Sequence, residues 1–355
     1  MNKEKHRIKE LDYAKTLAIF FMVIIHVLEE LSSFGIEEKL PSGFLEKFIQ
    51  FGAGPYSAPL FIFCMGFGTV FSRNHDPKKM FRRGIKLLLM GISLNLARDV
   101  VPRLLVCLFS GVSPEWEVMR FQIFNIDVLH FAGLAFMLTA LLKSLKVPNL
   151  TLIPIAVLMQ AAGNLISLNY VPEGIWELIF SYFIFTGDLS CFPLLNWYLS
   201  MAIGIVAGDE VKNFVGDADA EFHRTFWTCF CLLVGFLSAT SFYKIDHRIY
   251  YALYDNFLYK QTFFNFLYNT LVIFMLICVI HSLTKNQENS YGFFKFCGTN
   301  LTTIYIIQWL IIGWTASFQE YLHLIQPGFA ASIGLGIIIA LISIGITKLL
   351  PPIKW

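Results

Sequence analysis

The feature that most constrains this chain is the recurrence of apolar stretches about as long as a bilayer is thick, from Leu11 almost to Lys348. A helix that crosses the hydrocarbon core needs about 20 mostly apolar residues. Charged residues make up only 15% of the 355 positions, where a soluble domain carries about a quarter. The fold expected is therefore all-α, a polytopic integral membrane protein of about ten helices. The spans fall at 11–31, 57–73, 83–105, 124–143, 150–167, 192–209, 224–243, 265–284, 298–318 and 328–349. The run 174–187 is also apolar but short for a span. It reads as an interfacial or re-entrant piece; counting it as a crossing would make eleven. The first segment is long and no small-residue cleavage site follows it, so it reads as a retained helix, not a signal peptide. The loops are too short for a soluble domain, and residues 1–355 read as a single membrane domain.

Charge asymmetry orients the bundle. Lys3, Lys5, Arg7 and Lys9 precede the first span, and Arg73, Lys78, Lys79, Arg82, Arg83 and Lys86 fill the second loop. Lys143 and Lys146 follow the fourth span. The positive-inside bias puts all of these in the cytoplasm. The first loop carries Glu29, Glu30, Glu37, Glu38 and Glu46 and faces out. With ten spans Lys212, Lys285, Lys295, Lys348 and Lys354 also lie inside, while Lys244, Arg248 and Lys260 are exceptions. The expected location is a plasma membrane, with both termini cytoplasmic. Membrane lipid is the expected partner, and a net charge of +2 implies no nucleic-acid surface. A homodimer is compatible with the sequence, which does not encode an oligomeric state. The seven cysteines include no CxxC pair, so no metal site or disulfide framework is expected. They read as small buried hydrophobes.

Within the first span, Lys15 and His26 are eleven residues apart. That is close to three helical turns, so both project from one face, about 16 Å apart along the axis. An ionisable residue inside a span is costly and faces a cavity or the protein interior. This makes His26 the first candidate site residue; the plainer account is a neutral histidine hydrogen-bonded to a neighbouring helix. Glu30 lies one turn beyond and is placed to orient it, although a solvated helix end explains Glu29 and Glu30 as well. Arg98 and Asp99 close the third span, at the same outer level as Asp127 and His130, which open the fourth one turn apart. A carboxylate and a histidine at that spacing can pair or hold an acceptor. Trp176, Trp197, Tyr182 and Tyr198 lie on the outer side, where they suit either sugar stacking or an interfacial belt. Asn95, Asn164, Asn269 and Gln308 read as interhelical hydrogen-bonding residues.

Leu11-Asp12, Lys15 and His26 resemble the entry helix of the acyltransferase-3 family, which carries Arg at the basic position. Lys meets a phosphate as a point charge, without the bidentate fork of Arg. The segment SAPLFIFCMGFGTVFSR and the following Phe81-Arg82-Arg83-Gly84 resemble that family's second helix and its basic loop. Three later segments, FNIDVLHFAGLAFMLTALL, FPLLNWYLSMAIGIVAG and GTNLTTIYIIQWL, resemble the related heparan-α-glucosaminide N-acetyltransferase family. The lysosomal member of that family uses a His in the loop after the first helix. This chain has none between residues 27 and 56, so the expectation rests on His26.

The resemblance implies transfer of an acyl group, by default acetyl, from cytoplasmic acyl-CoA to an acceptor outside. The acceptor would be a sugar hydroxyl or amine on an envelope glycan or glycolipid. Lys15, Lys79, Arg82, Arg83 and Lys86 would hold the phosphates of CoA; plain topology signalling is the alternative for the loop cluster. The Lys15–His26 span is comparable to a pantetheine arm. His26 would serve as base for the acceptor or as a covalent acyl carrier, with Glu30 beside it and Arg98, Asp127 and His130 at the acceptor. The alternative is a secondary transporter of a small polar solute, although no paired helix interruption marks two halves.

Overall fold

In a computed structural model the described residues are 8–33, 43–72, 76–170, 172–187, 189–245, 260–286 and 291–351. Lys3, Lys5, Arg7, Glu37, Glu38, Arg73, Arg248 and Lys354, which enter the topology expectation, lie outside them. Among the described residues there is no β-strand, and one isolated bridge joins Ile126 to Ser190.

The chain opens with α1 (Lys9–Glu30), α2 (Phe44–Tyr56) and α3 (Ala58–Phe71). A long helical stretch follows: α4 (Pro77–Asn95), a π turn (Leu96–Val100) and α5 (Val101–Ser110). After these come α6 (Trp116–Phe124), α7 (Val128–Ser144), α8 (Leu152–Asn169), α9 (Ile175–Phe180) and α10 (Leu194–Asn213). The remainder holds α11 (Ala218–Phe242), α12 (Phe263–Thr284), α13 (Tyr291–Thr299), α14 (Leu301–Tyr321) and α15 (Phe329–Leu349). Each of the ten expected spans falls on one of these helical stretches. Seven are long and apolar enough by themselves to cross a membrane, and α7 is a shorter apolar helix. The chain is an all-α polytopic membrane protein.

Local chemistry sets the helix ends. Asp76 caps α4 by accepting from the Lys78 N–H at 3.0 Å, with Pro77 in the first turn, where its missing N–H costs nothing. Asp217 caps α11 and Thr262 caps α12 in the same way. The stretch around 174–187 yields only the six residues of α9, followed by turns. At 1.5 Å per residue, α9 is about 9 Å long, far short of a bilayer.

Helix α1 is the hub, packed against α2, α3, α12, α13, α14 and α15. Its burial follows from its near-continuous apolar sequence. Peripheral helices instead turn apolar side chains outward, such as Leu158 on α8, Leu232 on α11 and Leu341 on α15. Lipid solvates such a surface, so here it carries no penalty. Helix α10 lies against α3 so closely that a Cβ on Gly66 would overlap the Met201 carbonyl, and one on Gly204 that of Phe63. Small residues let backbones meet in this way within membranes. Helices α1 and α14 run in the same direction, since His26 meets Gln308 and the Leu31 carbonyl meets Gln319 further along both.

Two expectations change. Trp197 and Tyr198 are fully buried between α10 and its neighbours, not displayed on an outer surface. The Tyr198 hydroxyl meets Thr139 Oγ1 at 3.0 Å. The cause is tertiary: α10 is packed against α3 on one side and α8 on another. Of the seven cysteines, Cys64, Cys229, Cys278 and Cys297 are buried, whereas Cys107 and Cys191 are half-buried and Cys231 is exposed.

Candidate active site

His26 projects from α1 into the bundle, near the end marked by Glu30. Its Nδ1 stands 3.2 Å from Oε1 of Gln308. With that oxygen as acceptor, Nδ1 carries the proton and Nε2 the lone pair. The imidazole stacks on Trp309 at 4.0 Å between centroids and meets Tyr305 edge-on at 6.3 Å. Tyr305, Gln308 and Trp309 come from α14 at i, i+3 and i+4, which places them on one face.

The same α14 face gathers the polar residues of the outer level. Tyr305 donates its hydroxyl to Asp127 Oδ1. Asp127 Oδ2 accepts from Arg98 Nη1 at 3.0 Å, and both side chains are buried. Arg98 also donates from Nε to Asp99 at 2.9 Å. Its guanidinium lies 4.1 Å from the Trp309 ring centroid, close enough for a cation–π attraction. Trp309 thus touches both the imidazole and the guanidinium.

Arg98 sits in the π turn, and Pro102 accounts for that turn. The Val101 N–H bonds Leu96 O, one residue further back than in an α-helix. The next such bond would run from residue 102 to Ala97, but proline has no N–H. Trp314 Nε1 fills the vacancy, donating to Ala97 O at 2.9 Å. Gly313 admits the turn, because a Cβ there would stand 2.5 Å from the Arg98 carbonyl oxygen. Such π turns recur at functional sites.

Asp127 and His130 do meet, but as a capping box and not as a carboxylate–imidazole pair. The Asp127 side chain accepts from Val128 N–H, and His130 Nδ1 accepts from Asp127 N–H at 3.2 Å. The His130 ring is fully buried, edge-on to Tyr182 at 5.9 Å. Gly91 makes room for it, since a Cβ at that position would lie 2.8 Å from the imidazole. Three buried nitrogens here have no hydrogen-bond partner among the described residues: Gln308 Nε2, Trp309 Nε1 and His130 Nε2. Buried polar atoms are normally paired, so these nitrogens are open to a water or a bound molecule.

A cavity of about 20 Å³ lies beside His26, lined by Met22, Ser57, Val128, Phe192 and Tyr305 among others. That is room for about one water molecule. Among the described residues His26 bonds Gln308, and no hydrogen bond joins it to Glu30. Glu30 is exposed and instead lines a separate cleft with Asp99 and Arg103. Gln308 was legible only as an interhelical residue, which it also is. Tyr305 and Trp309 had no site signal beyond their place in GTNLTTIYIIQWL.

The basic residues are not brought to this cluster. Lys79, Arg82 and Lys86 are exposed on the first half of α4, which packs chiefly on α7. Arg83 is half-buried, its guanidinium 4.8 Å from the Phe136 ring centroid. Lys15 is half-buried on α1, and among the described residues no hydrogen bond or ion pair joins it to the α4 cluster. Two amides tie helices together as expected, Asn95 to the Ile123 and Asn125 carbonyls and Asn196 to Asn164, whereas Asn269 bonds Gln261, just before its own helix.

A family model described as heparan-alpha-glucosaminide N-acetyltransferase, catalytic, matches residues 7–243. No curated protein is significantly similar to the chain. The matched region contains His26, Arg98, Asp127 and His130, while Tyr305, Gln308 and Trp309 lie beyond it and reach the cluster by folding. Since the match spans more than half of the sequence, the chain belongs to the heparan-alpha-glucosaminide N-acetyltransferase catalytic family and is a membrane acetyltransferase.

Proposed function

We propose that the protein transfers an acetyl group from cytoplasmic acetyl-CoA to an amino sugar on the far side of the membrane, with His26 as the reacting residue. The membrane would be the plasma membrane, with both termini cytoplasmic. The observation that carries this proposal is the setting of His26: an imidazole whose Nδ1 meets Gln308, beside two buried donors, Gln308 Nε2 and Trp309 Nε1, that have no partner among the described residues. In the transfer the thioester C–S bond breaks and a C–N bond forms to the acceptor amine. His26 Nε2 takes the proton the amine loses and returns it to the departing thiolate, so CoA leaves as its thiol. Gln308 Nε2 and Trp309 Nε1 are the donors suited to the oxyanion of the tetrahedral intermediate. A hydroxyl acceptor would follow the same course, with a C–O bond formed.

Arg98, Asp127 and His130 hold the acceptor side, and Glu30 belongs to the acceptor's approach. Lys15, Lys79, Arg82, Arg83 and Lys86 would meet the phosphates of CoA from the cytoplasm. A water-sized cavity cannot take an acetyl thioester, so the proposal requires the helices around His26 to part when substrate binds. The transporter alternative is set aside, because membership of an acetyltransferase family supplies no reason for it.

The test is transfer of radiolabelled acetyl from acetyl-CoA to methyl glucosaminide in proteoliposomes. His26→Ala is expected to lower turnover on the order of 10²–10⁴-fold, the contribution of a positioned base, while acetyl-CoA binding persists. Wild-type turnover in His26→Ala would refute the role of His26. Arg82→Ala/Arg83→Ala is expected to weaken acetyl-CoA binding, and unchanged affinity would remove the donor site from α4.

A further inference from the structure

Two clefts open at the Glu30 end of the bundle, outside the His26 cluster. The first, of about 520 Å³, is lined by Glu30, Asp99, Gln122 and Gln319. The second, of about 350 Å³, runs along α5 and is lined by Val106, Cys107, Val112 and Tyr321. Both are also lined by Arg103, Ser317, Glu320 and His323, so they are two halves of one groove. Each half is within the size range of a small-molecule site. Arg103 and Glu320 stand 3.9 Å apart where the halves join. Arg103 Nε and Gln122 Oε1 are buried there without a hydrogen-bond partner among the described residues.

The two halves offer different chemistry. The first is continuous with the reaction cluster: Asp99 bonds Arg98, and Arg98 lies on Trp309, which stacks on His26. Its carboxylates and amides suit a hydroxylated, cationic sugar. The second leads away from the cluster along α5 to Val112, which is 63% exposed, and on the other faces of the same helix Leu108 is 75% exposed and Phe109 64% exposed. Trp116, at the start of α6, is 67% exposed. In a membrane protein an exposed apolar strip of this kind faces lipid, and an adjoining Trp marks the headgroup level. The groove therefore runs from a polar pocket beside the reacting residues to a wall in contact with the bilayer.

We infer that the acceptor is a lipid-linked amino sugar, with the sugar in the polar half and the first part of its apolar chain lying along Val106, Cys107 and Val112. This rests on the acetyl-transfer proposal and narrows its acceptor from any extracytoplasmic glycan to one anchored in the same leaflet. A soluble sugar would fill only the first half.

The test compares methyl and hexyl glucosaminide as acceptors in proteoliposomes, below the micellar concentration of the hexyl compound, in wild type, Cys107→Trp and Val106→Trp. The wild-type kcat/KM is expected to be about tenfold or more higher for the hexyl acceptor, from partial burial of the added methylenes. In both Trp variants the hexyl-to-methyl ratio is expected to collapse toward one. The ratio is taken within each variant and is therefore independent of the active fraction. Equal kcat/KM for both acceptors in wild type would overturn the inference while leaving acetyl transfer intact. A hexyl preference unchanged in both Trp variants would also overturn it, since simple partitioning into the bilayer would then explain the gain. Transfer to neither acceptor would overturn the acetyl-transfer proposal, and this inference with it.

Discussion

Asp127→Asn isolates the charge at the centre of the cluster. Asp127 is buried and accepts from Arg98, Tyr305 and the Val128 N–H. The amide keeps the shape but brings a donor into a place where every neighbour donates, and it leaves the buried Arg98 with Asp99 alone. Removing one partner of a buried ion pair costs about 3–5 kcal/mol. The remaining Asp99 bond at 2.9 Å puts the expectation at the lower end, about 3 kcal/mol. For 355 residues the unfolding entropy makes that about 1.3 °C per kcal/mol, a fall of about 4 °C in the thermal midpoint, read by fluorescence-detected unfolding in nanodiscs. Asp99→Asn is expected to cost less, because Asp99 is partly exposed and its amide can turn to the cleft. Arg98→Met/Asp127→Asn should recover part of the loss, since no uncompensated guanidinium then remains. Equal losses for Asp127→Asn and Asp99→Asn, or a double variant no more stable than Asp127→Asn, would refute this account of the cluster.

Other perturbations test the packing around it. Gly91→Ala would place a Cβ against the His130 ring and force α4 from α7, at an expected cost of about 1–3 kcal/mol; an unchanged midpoint would mean the ring is free to move. Gly204→Ala meets the Phe63 backbone and should destabilise more than Gly235→Ala, which meets nothing within 4 Å; thermal unfolding of the two side by side decides. At the far end of the bundle His281 bridges Glu10 of α1 and Asp219 of α11, each at 2.7 Å, with Phe222 stacked on its ring at 3.9 Å. His281→Phe keeps the ring contact, loses both polar links, and is expected to cost about 1–3 kcal/mol. A variant as stable as wild type would show that this bridge adds nothing.

Several parts of the site were legible before any folding. The face shared by Lys15 and His26 follows from the helical repeat alone, and Arg98, Asp127 and His130 share a level because alternating spans must return to the same side. The partner of His26 was not legible in this way. Glu30 is one turn away along the same helix, and local spacing points to it, yet Gln308 is 282 positions distant and wins because α14 packs directly on α1. Trp309 gave no signal either, since an aromatic in an apolar run reads the same whether it faces lipid or an imidazole. The link between His281 and Glu10 was invisible for the same reason: its two ends lie 271 residues apart.

The sequence by itself determined that this chain lives in a membrane as a bundle of helices, because hydropathy and length act within one segment and need no partner. It also determined which ionisable residues were too costly to face lipid and so had to face one another. The tertiary structure alone decided how they meet: Arg98 against Trp309 at a π turn, His26 against Gln308, His130 turned to cap its own helix, Trp197 and Tyr198 withdrawn from the surface. Lipid is as apolar as the side chains between helices, so hydrophobicity cannot say which faces pair. Close backbone approach at glycines and a few buried hydrogen bonds make that choice.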